Sequence, residues 1–258
     1  MPFVFGAAGA DELPGTVLVG VLGDLGMSAV AARGLLARMR DDGQLAVRRQ
    51  GRGGLYRLAG PFADAFRRLR SGERPGPPPP WPGHFHALLY QVPEARRAYR
   101  DRLRRLAQLA GFGIMQQGVL IAVRDLAGDL AGVLAEAPPD CRVQPATLGL
   151  PVADAAAVAR TAWNLDAVAG GLARHVAVLA GALAAAGPPP TGPDALVRLA
   201  GLLNPVYVDL IQDPGLPAAL LPAGWPRPEL DRLMAETRAR HVPAAARYIH
   251  SLVAFTAG

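Results

Sequence analysis

From Ser71 to Gly83 the chain runs through Arg74-Pro75-Gly76, then Pro77 to Pro80, then Trp81-Pro82-Gly83, a semi-extended spacer that cannot continue a helix. The segment before this spacer therefore folds apart from the segment after it. A second break, Gly187 to Pro193, falls inside an alanine-rich region and reads as a loop between helices. The spacer predicts a first domain over 1–70 and a linker over 71–83, and the later switch to a purely helical pattern divides the rest into an α/β domain over 84–153 and a helical domain over 154–258.

In the first segment, Met27 to Leu58 places an arginine-studded amphipathic helix directly before a short glycine-turned hairpin. Ser28 is the expected N-cap and Gly43 the stop. Ala32, Leu35, Leu36 and Met39 recur at i, i+3, i+4 and i+7 as a core stripe, while Arg33, Ala37 and Arg40 lie opposite with Arg38 beside them. Leu45 to Arg49 then reads as a strand, Gln50 to Gly54 as a turn tipped by Arg52, and Leu55 to Leu58 as the returning strand. Helix followed by hairpin is the order in which a winged helix-turn-helix meets DNA.

Charge placement supports that expectation better than total charge. Between Ser28 and Arg70 there are ten arginines against three aspartates, although the whole chain carries a formal net charge of only +6. A basic patch of this kind neutralises phosphates, and arginine forks also read guanine edges. The expected DNA contacts are Ser28, Arg33 and Arg38 from the helix and Arg48, Arg49 and Arg52 from the hairpin. Arg33 stands early enough to reach base edges, Arg38 suits a phosphate or a pairing with Asp41 or Asp42, and Arg52 suits the minor groove or backbone.

Past the spacer the periodicity switches twice. His84 to Val92 reads as a strand and Pro93 to Ala110 as a helix stopped by Gly111. Phe112 to Met115 and Val119 to Val123 read as strands, Leu126 to Ala135 as a helix, and Arg142 to Leu148 as a last strand. Strand, helix, two strands, helix, strand is the split βαβ, ferredoxin-like order. Its first helix carries Arg96, Arg97, Arg100, Arg102, Arg104 and Arg105, read either as a solvated face or as an anion-binding one. From Asp154 the pattern is helical, over Ala155 to Val168, Leu172 to Ala186, Asp194 to Leu203, Glu229 to His241 and Pro243 to Phe255.

Several function classes fit these residues poorly. The chain has no lysine, hence no phosphate-loop lysine, and its three serines, Ser28, Ser71 and Ser251, occupy no nucleophile elbow. His84 and His86 share one strand face without a carboxylate or cysteine at ligand spacing. Neither an enzyme nor a metal or other cofactor is expected. The lone Cys141 excludes an intrachain disulfide framework and suits a reducing compartment. The best membrane candidate, Leu165 to Ala186, is interrupted by Arg174 and His175, and the start of the chain lacks the pattern of a signal peptide, so a cytoplasmic protein without a membrane partner is expected.

The residues also resemble a family, the PaaX-like transcriptional repressors of bacterial aromatic-acid catabolism. The resemblance rests on Gly26-Met27-Ser28, Arg33, Arg38-Met39 and Gly51-Arg52-Gly53-Gly54-Leu55-Tyr56-Arg57-Leu58, and on Trp81 with Gly83 and Leu109-Ala110-Gly111-Phe112-Gly113. Its most specific part is Trp163-Asn164-Leu165 with Asp213-Pro214-Gly215-Leu216-Pro217, Leu220-Leu221-Pro222 and Trp225-Pro226. It implies a winged helix, a ferredoxin-like middle domain and an all-α C-terminal domain, assembled as a homodimer on a palindromic operator in double-stranded DNA. It further implies release by an acyl-CoA thioester, phenylacetyl-CoA in the best-known members. The alternative on the residues themselves is a winged-helix protein-interaction module, or an activator without an acyl-CoA response.

Overall fold

The computed structural model describes residues 1–50, 53–60, 63, 80–185, 187–210 and 213–257. They form a mixed α+β protein with two small antiparallel sheets and a helical C-terminal region. Two compact units emerge, one from Met1–Pro75, Ala173–Val208 and Arg227–Gly258, the other from Gly76–Leu172 and Asp209–Pro226.

The first unit begins with α1 (Pro2–Ala8), β1 (Glu12–Pro14), α2 (Gly15–Asp24) and α3 (Ala29–Asp41), followed by β2 (Leu45–Gln50) and β3 (Gly53–Leu58). The three strands pair antiparallel in the order β1-β3-β2. Leu13, Leu45 and Leu58 are buried beneath them, together with Val17, Leu18, Val21 and Leu22 of α2. Tyr56 explains why α2 opens on a glycine: a Cβ on Gly15 would stand 2.8 Å from the Tyr56 ring.

The second unit carries β4 (His84–Gln91), α4 (Arg97–Ala110), β5 (Gly113–Gln116), β6 (Val119–Ala122), the short α5 (Ala131–Ala135) and β7 (Arg142–Gly149). The strand order β5-β6-β4-β7, all antiparallel, is that of the split βαβ arrangement. Pleating sends Leu88, Tyr90 and Leu120 to one face, where Leu103, Ala107, Leu130 and Val133 cover them. Phe85, Ala87 and Ile121 go to the other.

That second face is covered by α6 (Val152–Ala162) and by the segment after Asp213. Leu216 and Leu220 are each 1% exposed, and Leu221 and Trp225 pack beside them. The spacing of prolines and tryptophan over 213–226 therefore has a structural cause: an extended strap that closes the sheet. Trp163 joins the same layer. Its Nε1 donates to the Gly111 carbonyl at 3.1 Å, and its ring lies so close to Gly113 that a Cβ there would stand 2.7 Å from it. Trp81 meets Phe85 with ring centroids 4.5 Å apart, so all three tryptophans serve core packing.

The C-terminal helices are α7 (Leu165–Ala184), α8 (Pro193–Leu210) and α9 (Arg227–Ala257). The helices differ from the sequence expectation at three places, and at one of them α8 runs through Pro205 to Leu210, past the expected end at Leu203. The first expected helix, Ala155 to Val168, breaks because Asn164 adopts a left-handed conformation, φ 49°, so α6 ends at Ala162 and α7 begins at Leu165. The two expected helices around Pro243 are one 31-residue helix with the proline inside it. Leu230, Leu233 and Met234 before Pro243, and Ala244, Ala245 and Ile249 after it, are all buried, so packing on both sides carries the helix through the missing hydrogen bond.

Among the described residues α7 is the one helix long and apolar enough, by length and composition, to cross a membrane, with mean hydropathy 1.5. Arg174 and His175 stand at its middle, and Leu172 and Leu179 are buried. Arg240 of α9 closes its C-terminal end, donating to the carbonyls of Leu183, Ala185 and Gly187 at 2.6, 2.9 and 2.9 Å.

Candidate nucleic-acid interface

Helix α3 starts where the sequence places it. Gly26, at φ +90°, turns the chain out of α2, and Ser28 caps α3 by accepting the Ala31 N–H at 3.2 Å. Ala32, Leu36 and Met39 are buried, whereas Leu35 is only half-buried, so the core stripe is narrower than the periodicity suggests. The opposite side is open. Residues 28–31 are all exposed, and so are Arg33, Arg38 and Arg40. The first turn holds no acidic residue, which leaves its N–H dipole ends uncompensated for an approaching phosphate.

The arginines of α3 differ in availability. Arg40 binds the Asp41 carboxylate through Nε and Nη2 at 3.0 and 2.9 Å. Asp41 is thereby used by Arg40, and among the described residues neither Arg33 nor Arg38 has a carboxylate partner. Both side chains are exposed, and the Arg38 guanidinium lies back against Gly34.

The β2–β3 hairpin carries the remaining expected contacts. Arg48 and Arg49 are exposed; Arg52 lies outside the described residues. Arg48 donates to Glu12 at 2.8 Å. The hydrogen bond from Arg48, reinforced by the charges of Arg48 and Arg57, holds the Glu12 carboxyl below the usual carboxylate range, while the pairing with Glu12 raises Arg48. Register explains the meeting: Glu12 of β1 faces Arg57 of β3 across one strand gap, and Arg48 lies on the same face. Glu12 is not readable as a site residue in the sequence, because a three-residue strand has no readable period. Arg49 pairs in register with Gly54, next to the Gln50–Gly53 pair that ends the ladder, and has no acidic partner among the described residues.

The arginine-rich α4 behaves differently. Arg96 pairs with Asp140, Arg97 with Asp101, Arg100 with Glu94 and Arg102 with Glu136, leaving Arg104 and Arg105. Most of that helix's charge is neutralised by carboxylates of its own unit. His84 and His86 lie edge to face with centroids 5.4 Å apart, and among the described residues no cluster of three His, Cys, Asp or Glu gathers around them.

Comparison with known proteins decides the family. Residues 78–147 match the model of the PaaX protein central Cas2-like domain, and residues 163–251 match that of the PaaX-like protein C-terminal domain. The chain belongs to the PaaX-like family. PaaX-like proteins are regulators, and membership of the family supports a role in transcription regulation. A solved structure of an uncharacterized protein, Rv0674, from Mycobacterium tuberculosis, is similar over 92% of this chain and 89% of that one, with 25% identity and a TM-score of 0.58. No curated protein matches the sequence.

Proposed function

We propose that this PaaX-like chain is a sequence-specific DNA-binding repressor whose first unit docks as a winged helix-turn-helix. The observation that carries this reading is α3: one face is buried on α2 and the sheet, and the other presents unpaired Arg33 and Arg38 behind an acid-free first turn. In this reading α3 enters the major groove, Arg33 reaches base edges, and Ser28 and Arg38 hold phosphates. Arg48, Arg49 and Arg52 bring the hairpin to the adjacent backbone.

The regulator acts as a homodimer on a palindromic operator and is released by an aryl- or acyl-CoA thioester, as its family membership suggests; it works in the cytoplasm. Selection of a random duplex library on the purified protein tests the proposal. Enrichment of an inverted repeat, its half-sites about one helical turn or a multiple apart, supports it; failure to enrich any sequence at low salt contradicts it. A second reading, a winged-helix protein-interaction module, is favoured by the pairing of Arg48 with Glu12, which removes positive charge from the hairpin.

A further inference from the structure

Val30 stands out on the arginine face of α3. It is 78% exposed and sits in the first turn of the helix, on the side that carries Arg33. Helical spacing places Val30 on one face with Arg33, Gly34 and Ala37, opposite buried Ala32, Leu36 and Met39. Gly34 and Ala37 add little bulk to this face, the Arg38 guanidinium lies back against Gly34, and Ser28 fixes the backbone of the turn that carries Val30. Neither packing nor a helix preference for valine accounts for an apolar residue here.

We infer that Val30 is a specificity residue which contacts the 5-methyl group of a thymine in each operator half-site. The inference rests on the DNA-binding reading above and adds the base class read by the first turn of α3. In the major groove thymine is the base that offers an apolar group, and an alkyl side chain recognises it by excluding water from both surfaces. Arg33, one turn further on, suits an adjacent guanine, whose O6 and N7 accept a guanidinium fork. The pair would thus read neighbouring base pairs by two different forces.

The test uses the full-length protein and the duplex enriched from the random library. Each thymine is replaced in turn by deoxyuridine, which keeps the Watson–Crick pairing and lacks only the methyl group. Wild type is expected to lose about fourfold in affinity at one base pair per half-site, the equivalent of one methyl-sized apolar burial. Val30→Ala, altered in both protomers, is expected to bind the thymine duplex about fourfold weaker per half-site, hence about sixteenfold in all, and to be indifferent to uracil at that position. Uracil insensitivity of wild type at every position, or equal sensitivity in Val30→Ala, overturns the inference and leaves DNA binding intact. If wild type enriches no sequence, the DNA reading itself fails and the exposed valine belongs to a protein contact. Because the side chain lies in solvent, the variant keeps its fold, which an unchanged thermal midpoint verifies.

Discussion

The Tyr248 hydroxyl donates to Asp24 Oδ2 at 2.7 Å, joining two residues 224 positions apart in sequence. Asp24 ends α2, and Tyr248 lies near the end of α9. Two residues on, His250 Nε2 meets the Ala8 carbonyl at the end of α1, at 2.9 Å. The last helix of the chain therefore holds both helices that precede α3, and a shift of α9 moves the support of the exposed arginine face. Loss of the hydrogen bond in Tyr248→Phe is expected to cost about 1–2 kcal/mol. Urea unfolding measures it; an unchanged midpoint means that the contact contributes nothing.

The same tyrosine gives a signature in alkali. Burial, then the Asp24 carboxylate, push its hydroxyl up from 10.0 to about 12. A folded-state value above the unfolded one means that the stabilisation is complete below pH 10 and is lost as pH rises towards 12. Subtracting the stability profile of Tyr248→Phe from that of wild type should leave this alkaline decline.

His241 acts on the opposite limb. Its residue is 4% exposed, and burial, followed by the charges of Arg240 and Arg198, holds the imidazole below 6.5. A depressed value means that stability is complete above pH 6.5 and is lost as pH falls through the folded-state value. Thermal midpoints of wild type should drop in mild acid more steeply than those of His241→Leu; parallel curves refute the assignment.

Two glycines separate close packing from chain entropy. In Gly113→Ala the new Cβ meets the Trp163 ring at 2.7 Å, which is expected to destabilise the second unit by about 1–3 kcal/mol. Gly20 lies exposed within α2 with nothing within 4 Å of a built Cβ, so Gly20→Ala is expected to stabilise by up to about 1 kcal/mol. Denaturant midpoints should move in opposite directions.

Glu12 restrains the hairpin's charge. Glu12→Gln frees Arg48 for phosphate, so DNA affinity should rise for all sequences alike and the salt slope should steepen by up to about 1. Anisotropy on unrelated duplexes reads both; equal slopes would place Arg48 away from the backbone.

Legibility in the sequence depends on physical range. Ser28, the 3.6-residue stripe and the glycine-flanked hairpin are local signals, and α3, β2 and β3 stand close to where those signals place them. The strand and helix order of the middle domain is legible for the same reason. Long-range relationships are not: Glu12 acquires its role only when β1 pairs with β3, and alanine-rich periodicity does not tell which unit a helix of 154–258 joins. Asn164 and Pro243 mislead in opposite ways, since a left-handed asparagine breaks a continuous pattern while packing carries a helix through a proline.

The open face of α3 and the hairpin together form the proposed DNA-binding surface. The most direct test is an anisotropy titration of the enriched duplex at several salt concentrations, with wild type and Arg33→Ala side by side. Affinity should fall steeply and log-linearly with salt for both proteins, with sequence preference relaxed at one base pair per half-site in Arg33→Ala. Affinity independent of salt, or unchanged preference in the variant, would contradict DNA binding through this face.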